Sequence, residues 1–404
     1  MKAAIALIWV NFKSFPLRLT SSLISILSIG CVAAVILGVL TLTNGMVKTM
    51  QRSGLDNTLL VMRSGAVSEL QSVMFPIEVK LLANNSLIKQ DENGNSLFAA
   101  EMFVSTEYKS TLTSQTTKSR YNSKSLALRG ISRKTYYFRP NFKLVSGKKF
   151  NSGLREVLVG RALARKMPEL KVGNTITLGD TKWLISGIFS DNNSVFESEL
   201  WADIGILQSD YNRGNTVQSV RLALQDSANT SQLVEQLNKQ WQADPRLNVR
   251  IILEKEFFAE QGKKLNSLIN LIGLPVAIIM ALGATIAALN TMYAAIASRS
   301  KEIATHKAIG FTPFAIASAI ISEAVLIAFL GGLLGILPLY LLFDDWTAST
   351  QNASNLSQMM FNFNISPQLM SQTMLLAISI GLIGGLLPAV KAMRLPVTLA
   401  LRDN

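Results

Sequence analysis

Arg299, Lys301, Glu302, His306 and Lys307 fall within one short interval, RSKEIATHKAIGF (Arg299–Phe311), and His306 is the only histidine in the chain. On a helix, residues four apart share a face, so Glu302 and His306 could pair with each other or be presented together to a partner. Ile303, Lys307 and Gly310 fall on another side. Nucleophilic catalysis needs more than this: with one histidine, no Ser-His-Asp or Cys-His arrangement can be assembled, which excludes hydrolases of those types. A second group of interest is Glu197, Glu199 and Asp203 in FESELWAD (196–203). The two glutamates alternate, so on a strand they would share one face and could offer oxygen to a hard cation. Such sites usually need more oxygen ligands than this, and a solvated acidic edge or a hydrogen-bonding turn is the preferred reading. The phosphate-cradling pattern GxxxxGK[ST] is absent, and SGKKF (146–150) lacks the upstream glycine. The chain is therefore read as having no catalytic site, no metal site and no directly bound cofactor.

The elements that hold these residues are set by hydropathy. The Arg299–Phe311 interval separates two long apolar runs, 266–297 and 313–343. Each exceeds the roughly 20 residues a helix needs to cross a bilayer core of about 30 Å. Two further runs, near 20–43 and 371–390, have the same character. With 404 residues and a mean hydropathy of +0.30, the chain reads as a membrane protein with a large aqueous part. Cys31 is the only cysteine, so no disulfide can form within the chain. The first apolar run is long and has no small-residue cleavage site, so it reads as a retained anchor.

A net charge of +13 could point to nucleic acid, but the basic residues are spread rather than clustered with aromatics. Topology explains them better. Outside the region 44–264 the nine Lys and Arg residues are Lys2, Lys13, Arg18, Arg299, Lys301, Lys307, Lys391, Arg394 and Arg402. All lie at span ends that face the cytoplasm if both termini are inside, whereas Asp344 and Asp345 mark the opposite end of the third span. This is the positive-inside pattern, from which a long translocated domain is exempt.

The expected fold is thus an α-helical membrane protein with four transmembrane helices and a large α+β periplasmic domain between the first and second. In order, 1–19 is an amphipathic cytoplasmic segment, 20–43 the first span and 44–264 the domain. A long stalk and second span occupy 265–298, a cytoplasmic coupling segment 299–312 and the third span 313–343. A periplasmic loop follows at 344–370, the fourth span at 371–390 and a cytoplasmic tail at 391–404. Within the domain, strand-like runs recur at 58–64, 125–131, 155–160 and 219–224. A hairpin is expected over 175–189 with Gly179-Asp180 at its turn. Helices are expected at 160–167 and 231–242, and an exposed polar loop over Thr111–Ser125. The second apolar segment, at 1.5 Å per residue, would be about 50 Å long, so its upper part should leave the bilayer, and Pro275 is a candidate kink. Gly331, Gly332, Gly335, Gly381 and Gly385 place small residues four apart, a spacing for close helix packing within one subunit or between two. Glu323 lies inside the third apolar run, yet 324–343 alone is long enough to span, which favours a headgroup-level position for it. On residue types alone, the basic interval serves either as a topology signal or as a docking surface.

With this topology the chain resembles the MacB/FtsX-type permeases of ABC transporters. The matching residues in the interval are Arg299, Glu302, Ile303, Lys307, Ala308, Ile309 and Gly310, with His306 standing where the family usually has leucine. Glu323, Gly331, Gly332 and Gly335 match its third span, and Pro388, Ala389, Ala392, Pro396, Ala400, Leu401 and Arg402 its closing signature. LALRGIS (126–132) and FESELWAD look like the DevC-like subgroup, whose ATPase is a separate chain. The resemblance implies a dimeric permease in a bacterial inner membrane, with ATP and Mg handled by a separate cytoplasmic ABC ATPase. It assigns ATPase coupling to Arg299, Lys301, Glu302, Ile303, His306, Lys307, Ile309, Gly310 and Phe311. The function implied first is extrusion driven by ATPase closure relayed to the periplasmic domain, with an adaptor and an outer-membrane channel. The alternatives within the resemblance are lipoprotein release, or FtsX-like mechanical signalling to a cell-wall hydrolase.

Overall fold

The computed structural model describes residues 7, 9, 19–109, 123–225, 230–344, 346–351 and 358–396. The chain opens with α1 (Leu19–Gln51), β1 (Thr58–Arg63), α2 (Pro76–Ala83), β2 (Phe98–Lys109) and β3 (Ser123–Ile131). It continues through β4 (Phe142–Gly147), β5 (Glu156–Gly160), α3 (Arg161–Lys166), β6 (Thr175–Leu178), β7 (Thr181–Asp191) and β8 (Glu199–Asp203). Then come α4 (Ile204–Asp210), β9 (Ser219–Ala223), α5 (Thr230–Gln242), β10 (Val249–Leu253) and α6 (Glu254–Ser298). The last elements are α7 (Ser300–Ala308), α8 (Pro313–Phe343), β11 (Thr347–Gln351), β12 (Gln358–Asn362) and α9 (Pro367–Arg394). Two compact units result, one of residues 1–44, 266–346 and 363–404, the other of 45–265 and 347–362.

In the first unit, α1, α6, α8 and α9 are the helices among the described residues that are long and apolar enough to cross a membrane. Their starts are written in the sequence. Gly310 takes a φ of +103° at the end of α7, a conformation that a residue without Cβ adopts freely. Thr312 then accepts the Ala315 N–H as the cap of α8, and Pro313 fills its first turn. Ser366 and Pro367 do the same for α9. The glycines set the packing inside one chain. A Cβ on Gly331 would stand 2.9 Å from the Ile26 carbonyl, and one on Gly335 would strike the Gly30 carbonyl, so α8 lies close against α1. Gly332 faces Met374 and Ala377, Gly381 faces Ala328, and Gly385 faces Ala324, which brings α8 against α9. The closing signature is partly visible here, with Pro388, Ala389 and Ala392 buried in the bundle.

The second unit is built on a mixed sheet in the order β10-β1-β9-β2-β3-β8-β5-β7-β4, with β6 pairing β2 and β7. The β3–β8 and β5–β7 pairs are parallel and the other pairs antiparallel. The β6–β7 hairpin turns at Gly179, where φ is +58°. Besides α9, which runs from Pro367 to Arg394 rather than over 371–390, three differences from the sequence reading matter here. Helix α1 runs on to Gln51, and α6 starts at Glu254 rather than near Leu265. The added turns are polar overall, so hydropathy does not show them, but Met50, Phe257 and Phe258 bury one face in a core with Leu60, Phe196 and Trp201. Pro275 sits inside α6 without ending it. The third difference is the 344–370 loop, which contains a β-hairpin belonging to the second unit. Most of segment 1–19, residues 111–122 of the expected polar loop, Asp345 and the tail from 397 lie outside the described residues.

Candidate functional site

The polar interval is a short helix tied at both ends. Arg299 occupies the N-cap position of α7, and its guanidinium reaches in two directions. Nε and Nη2 donate to Glu302 Oε2 and Oε1 at 3.1 and 3.2 Å, and Nη1 donates to Glu323 Oε2 on α8 at 3.1 Å. Glu323 is only 7% exposed, and its carboxylate is ion-paired with Arg299 inside the bundle. Lys307, near the other end of α7, donates from Nζ to the Met393 and Leu395 carbonyls at 2.8 and 2.7 Å. The last carbonyls of a helix have no intrahelical donor and carry partial negative charge, so a cation there is favourable. Burial pulls this ammonium below its ordinary pKa range.

These ties divide the nine expected coupling residues. Arg299, Glu302 and Lys307 are engaged within the chain, and Ile303 is buried in the bundle core. His306 lies 3.8 Å from Glu302 and sets its ring edge-on to half-buried Phe311. Lys301, Ile309 and Gly310 face outward, together with Ala308, which matched the family without being assigned to coupling, and with Thr305 and Phe314, which were not singled out from sequence. Ile309 is 70% and Phe314 78% exposed. Two large apolar side chains thus project at the end of the span that carries the basic residues.

The second concentration of charge lies in the domain unit and is fully enclosed. Arg129 on β3 donates to Glu199 through Nε and Nη2 at 2.6 and 2.8 Å. It also donates to both oxygens of Glu69 at 2.9 and 2.8 Å, and to Glu101 at 2.8 Å. Arg221 on β9 binds Glu101, Glu69 and, at 2.7 Å, Glu254, the first residue of α6. Arg139 meets the same Glu254 at 3.2 Å. The Phe196 ring lies under three guanidiniums, 3.9 Å from that of Arg139 and 5.3 and 5.8 Å from those of Arg129 and Arg221. Burial alone would raise the Glu69 carboxyl, but Arg129 and Arg221 outweigh it and hold the group well below the usual carboxylate range. Asp191 goes the other way, because burial raises it more than its Ser194 hydrogen bond lowers it.

This geometry accounts for both subgroup runs noted in the sequence. The parallel register pairs Arg129 of LALRGIS with Trp201 of FESELWAD, which places Arg129 beside Glu199. Glu197 and Glu199 are not on one strand, and the hydrogen-bonding turn preferred from the sequence is what Glu197 makes. Glu197 sits in a 3-10 turn (Val195–Ser198), where its Oε1 accepts the Asp191 and Asn193 N–H groups at 2.7 and 2.8 Å. Asp203 caps α4 through the Gly205 and Ile206 N–H groups. Each carboxylate is therefore consumed by a structural bond. Glu69, Glu101 and Glu254 were not singled out from sequence, since nothing local marks a carboxylate whose partner lies on another strand.

Two family models match the chain. Residues 22–240, more than half of it, match the MacB-like periplasmic core domain, and 275–397 match the FtsX-like permease C-terminal. Among solved structures, the periplasmic region of MacB from Actinobacillus actinomycetemcomitans is 14% identical, over 52% of this chain and 94% of that one, at a TM-score of 0.37. The extracellular domain of the noncanonic ABC-type transporter YknZ from Gram-positive bacteria is 13% identical, over 48% and 100%, at 0.35. No curated protein matches the chain.

Proposed function

Because the chain belongs to the MacB/FtsX-type ABC transporter permeases, we propose that α7 is the element through which a separate cytoplasmic ATPase drives it. The observation that carries this reading is the fixing of α7 to two membrane helices at once. Arg299 holds it to Glu323 of α8, and Lys307 holds it to the last carbonyls of α9. A push received by α7 is then received by both spans. Lys301, Thr305, Ala308, Ile309 and Phe314 remain outward for the partner, and apolar anchors such as Ile309 and Phe314 are the kind that dominate interfaces. Glu302 and Arg299 hold the helix in place rather than meeting the ATPase.

The periplasmic domain receives the motion. Its sheet grips α6 at the first residue through Glu254, Arg221 and Arg139, so displacement of that helix is delivered into a close-packed core. We read the output as extrusion across an inner membrane, shared with an adaptor and an outer-membrane channel, by a permease dimer. The test is co-expression with candidate ABC ATPases. One should co-purify with the chain, hydrolysis should belong to the complex, and the clean permease alone should hydrolyse nothing. Hydrolysis by the isolated permease, or the absence of any associating ATPase, overturns the reading.

A further inference from the structure

The chain between α8 and α9 does not simply return to the membrane. Its two arms are joined from the helix ends outward. The Ile365 N–H donates to Asp344 Oδ1 at 3.2 Å, and the Phe363 N–H to the Trp346 carbonyl at 2.9 Å. The ladder then continues as β11 and β12, from Thr347↔Asn362 to Gln351↔Gln358. An isolated two-stranded hairpin is marginal in water, so its order must come from docking. Met360 supplies it: the side chain is 1% exposed within the apolar cluster that holds Leu128, Val159, Trp183 and Leu200. Its backbone is seized by one hydroxyl. Ser198 Oγ accepts the Met360 N–H at 2.9 Å and donates to the Met360 carbonyl at 3.2 Å. Ser198 is itself 2% exposed and stands between Glu197 and Glu199, both fixed by the bonds described above.

We propose that this hairpin is a strap, a second transmission element in which Ser198 and Met360 are the positioning residues. It carries displacement of α8 and α9, the two helices that hold α7, into the sheet at β8, independently of α1 and α6. The proposal rests on the permease reading. The linkers either side of the hairpin are residues 344–346 and 363–366, each spanning under about 20 Å even at full extension, so little slack separates the helix ends from the docked strand.

The experiment uses the full chain in complex with its ATPase, and compares amide hydrogen exchange without nucleotide and after trapping with ATP and vanadate. In the parent, trapping should change exchange in the 195–203 segment. Two variants interrupt the strap differently. Ser198→Ala with Met360→Ser loosens the dock. A Gly-Ser insert of about four residues in each linker adds up to roughly 14 Å of slack and leaves the dock intact, which exchange at the Met360 amide verifies. Both variants should keep ATPase binding and basal hydrolysis while losing the nucleotide-dependent change at 195–203. If the slack variant retains that change at the parental size, the strap transmits nothing and the proposal falls while the permease reading stands. If the parent binds no ATPase, the permease reading fails and the strap falls with it.

Discussion

Arg299 Nη1 lies 3.1 Å from Glu323 Oε2, a bond that joins the polar interval to the interior of the third membrane helix. Glu323 is nearly enclosed, and the Arg299 side chain is 16% exposed. Removing Arg299 takes a guanidinium away from a buried carboxylate, and breaking a buried pair costs about 3–5 kcal/mol; removing Glu323 costs less, because Arg299 keeps its two bonds to Glu302. Glu323→Gln and Arg299→Gln should each lower the melting temperature of the purified protein, and the swap Arg299→Glu with Glu323→Arg should recover part of the loss. Two single variants that melt like the parent would show that the pair contributes nothing.

Glu302 and Ile309 separate the holding role of α7 from its docking role. Glu302 accepts from Nε and Nη2 of Arg299, so Glu302→Lys opposes Arg299 and disturbs the joint to α8. The topology signal keeps its sign, so insertion should be normal, but the protein should melt earlier. Ile309 is exposed, and surface changes away from such joints usually stay within about 0.5 kcal/mol. Ile309→Asp should therefore melt like the parent yet lose most of the co-purifying ATPase. Full ATPase recovery with Ile309→Asp would move the interface elsewhere.

The four spans, the polar interval and its punctuation by Gly310 and Pro313 were legible because hydropathy and backbone restriction are local properties. The glycine rows were legible as packing surfaces, though not as contacts within one chain. What could not be read depends on distant partners. The pairing of Glu323 with Arg299 was not legible, because only the return of α7 against α8 brings the two together. Arg129 and Glu199 lay in noted runs, but their meeting requires the parallel β3–β8 register. The hairpin at Met360 read as loop because its strands are only five residues each and one of them is polar, and its order comes from a dock on β8's approach at Ser198.

Gly335 and Gly283 make a matched pair for the packing argument. A Cβ on Gly335 meets the Gly30 carbonyl and comes within 3.0 Å of Ala33 Cβ, while one on Gly283 meets nothing within 4 Å. Backbone cannot retreat as a flexible side chain can, and overpacking typically costs about 1–3 kcal/mol. Gly335→Ala should lower the melting temperature. Gly283→Ala should leave it unchanged or raise it slightly, since alanine is the better helix former. Equal effects at the two sites would show that α1 and α8 are not in close contact.

Glu69 predicts how the charge cluster responds to acid. Its folded-state pKa is depressed by Arg129 and Arg221, so the stability it contributes is complete above its unfolded value, about 4.3, and is lost as pH falls through the folded value. Asp191, whose pKa is raised, has the opposite sign and gains on protonation, so it offsets part of that loss. Replacing Glu69 by Gln removes the first contribution and leaves the second. At pH 7 the variant should be less stable by about 3–5 kcal/mol, because two buried guanidiniums lose a shared carboxylate. Below pH 4.3 the parent should lose stability at up to about 1.4 kcal/mol per pH unit from this group, and the Gln variant should not. The two stability curves therefore converge as the solution is acidified. Denaturant unfolding followed by tryptophan fluorescence reports on the right place, since the Trp201 indole donates to Glu199 at 3.0 Å inside the cluster. A gap that stays constant from pH 7 to pH 3 would mean that Glu69 is not held ionised by its arginines.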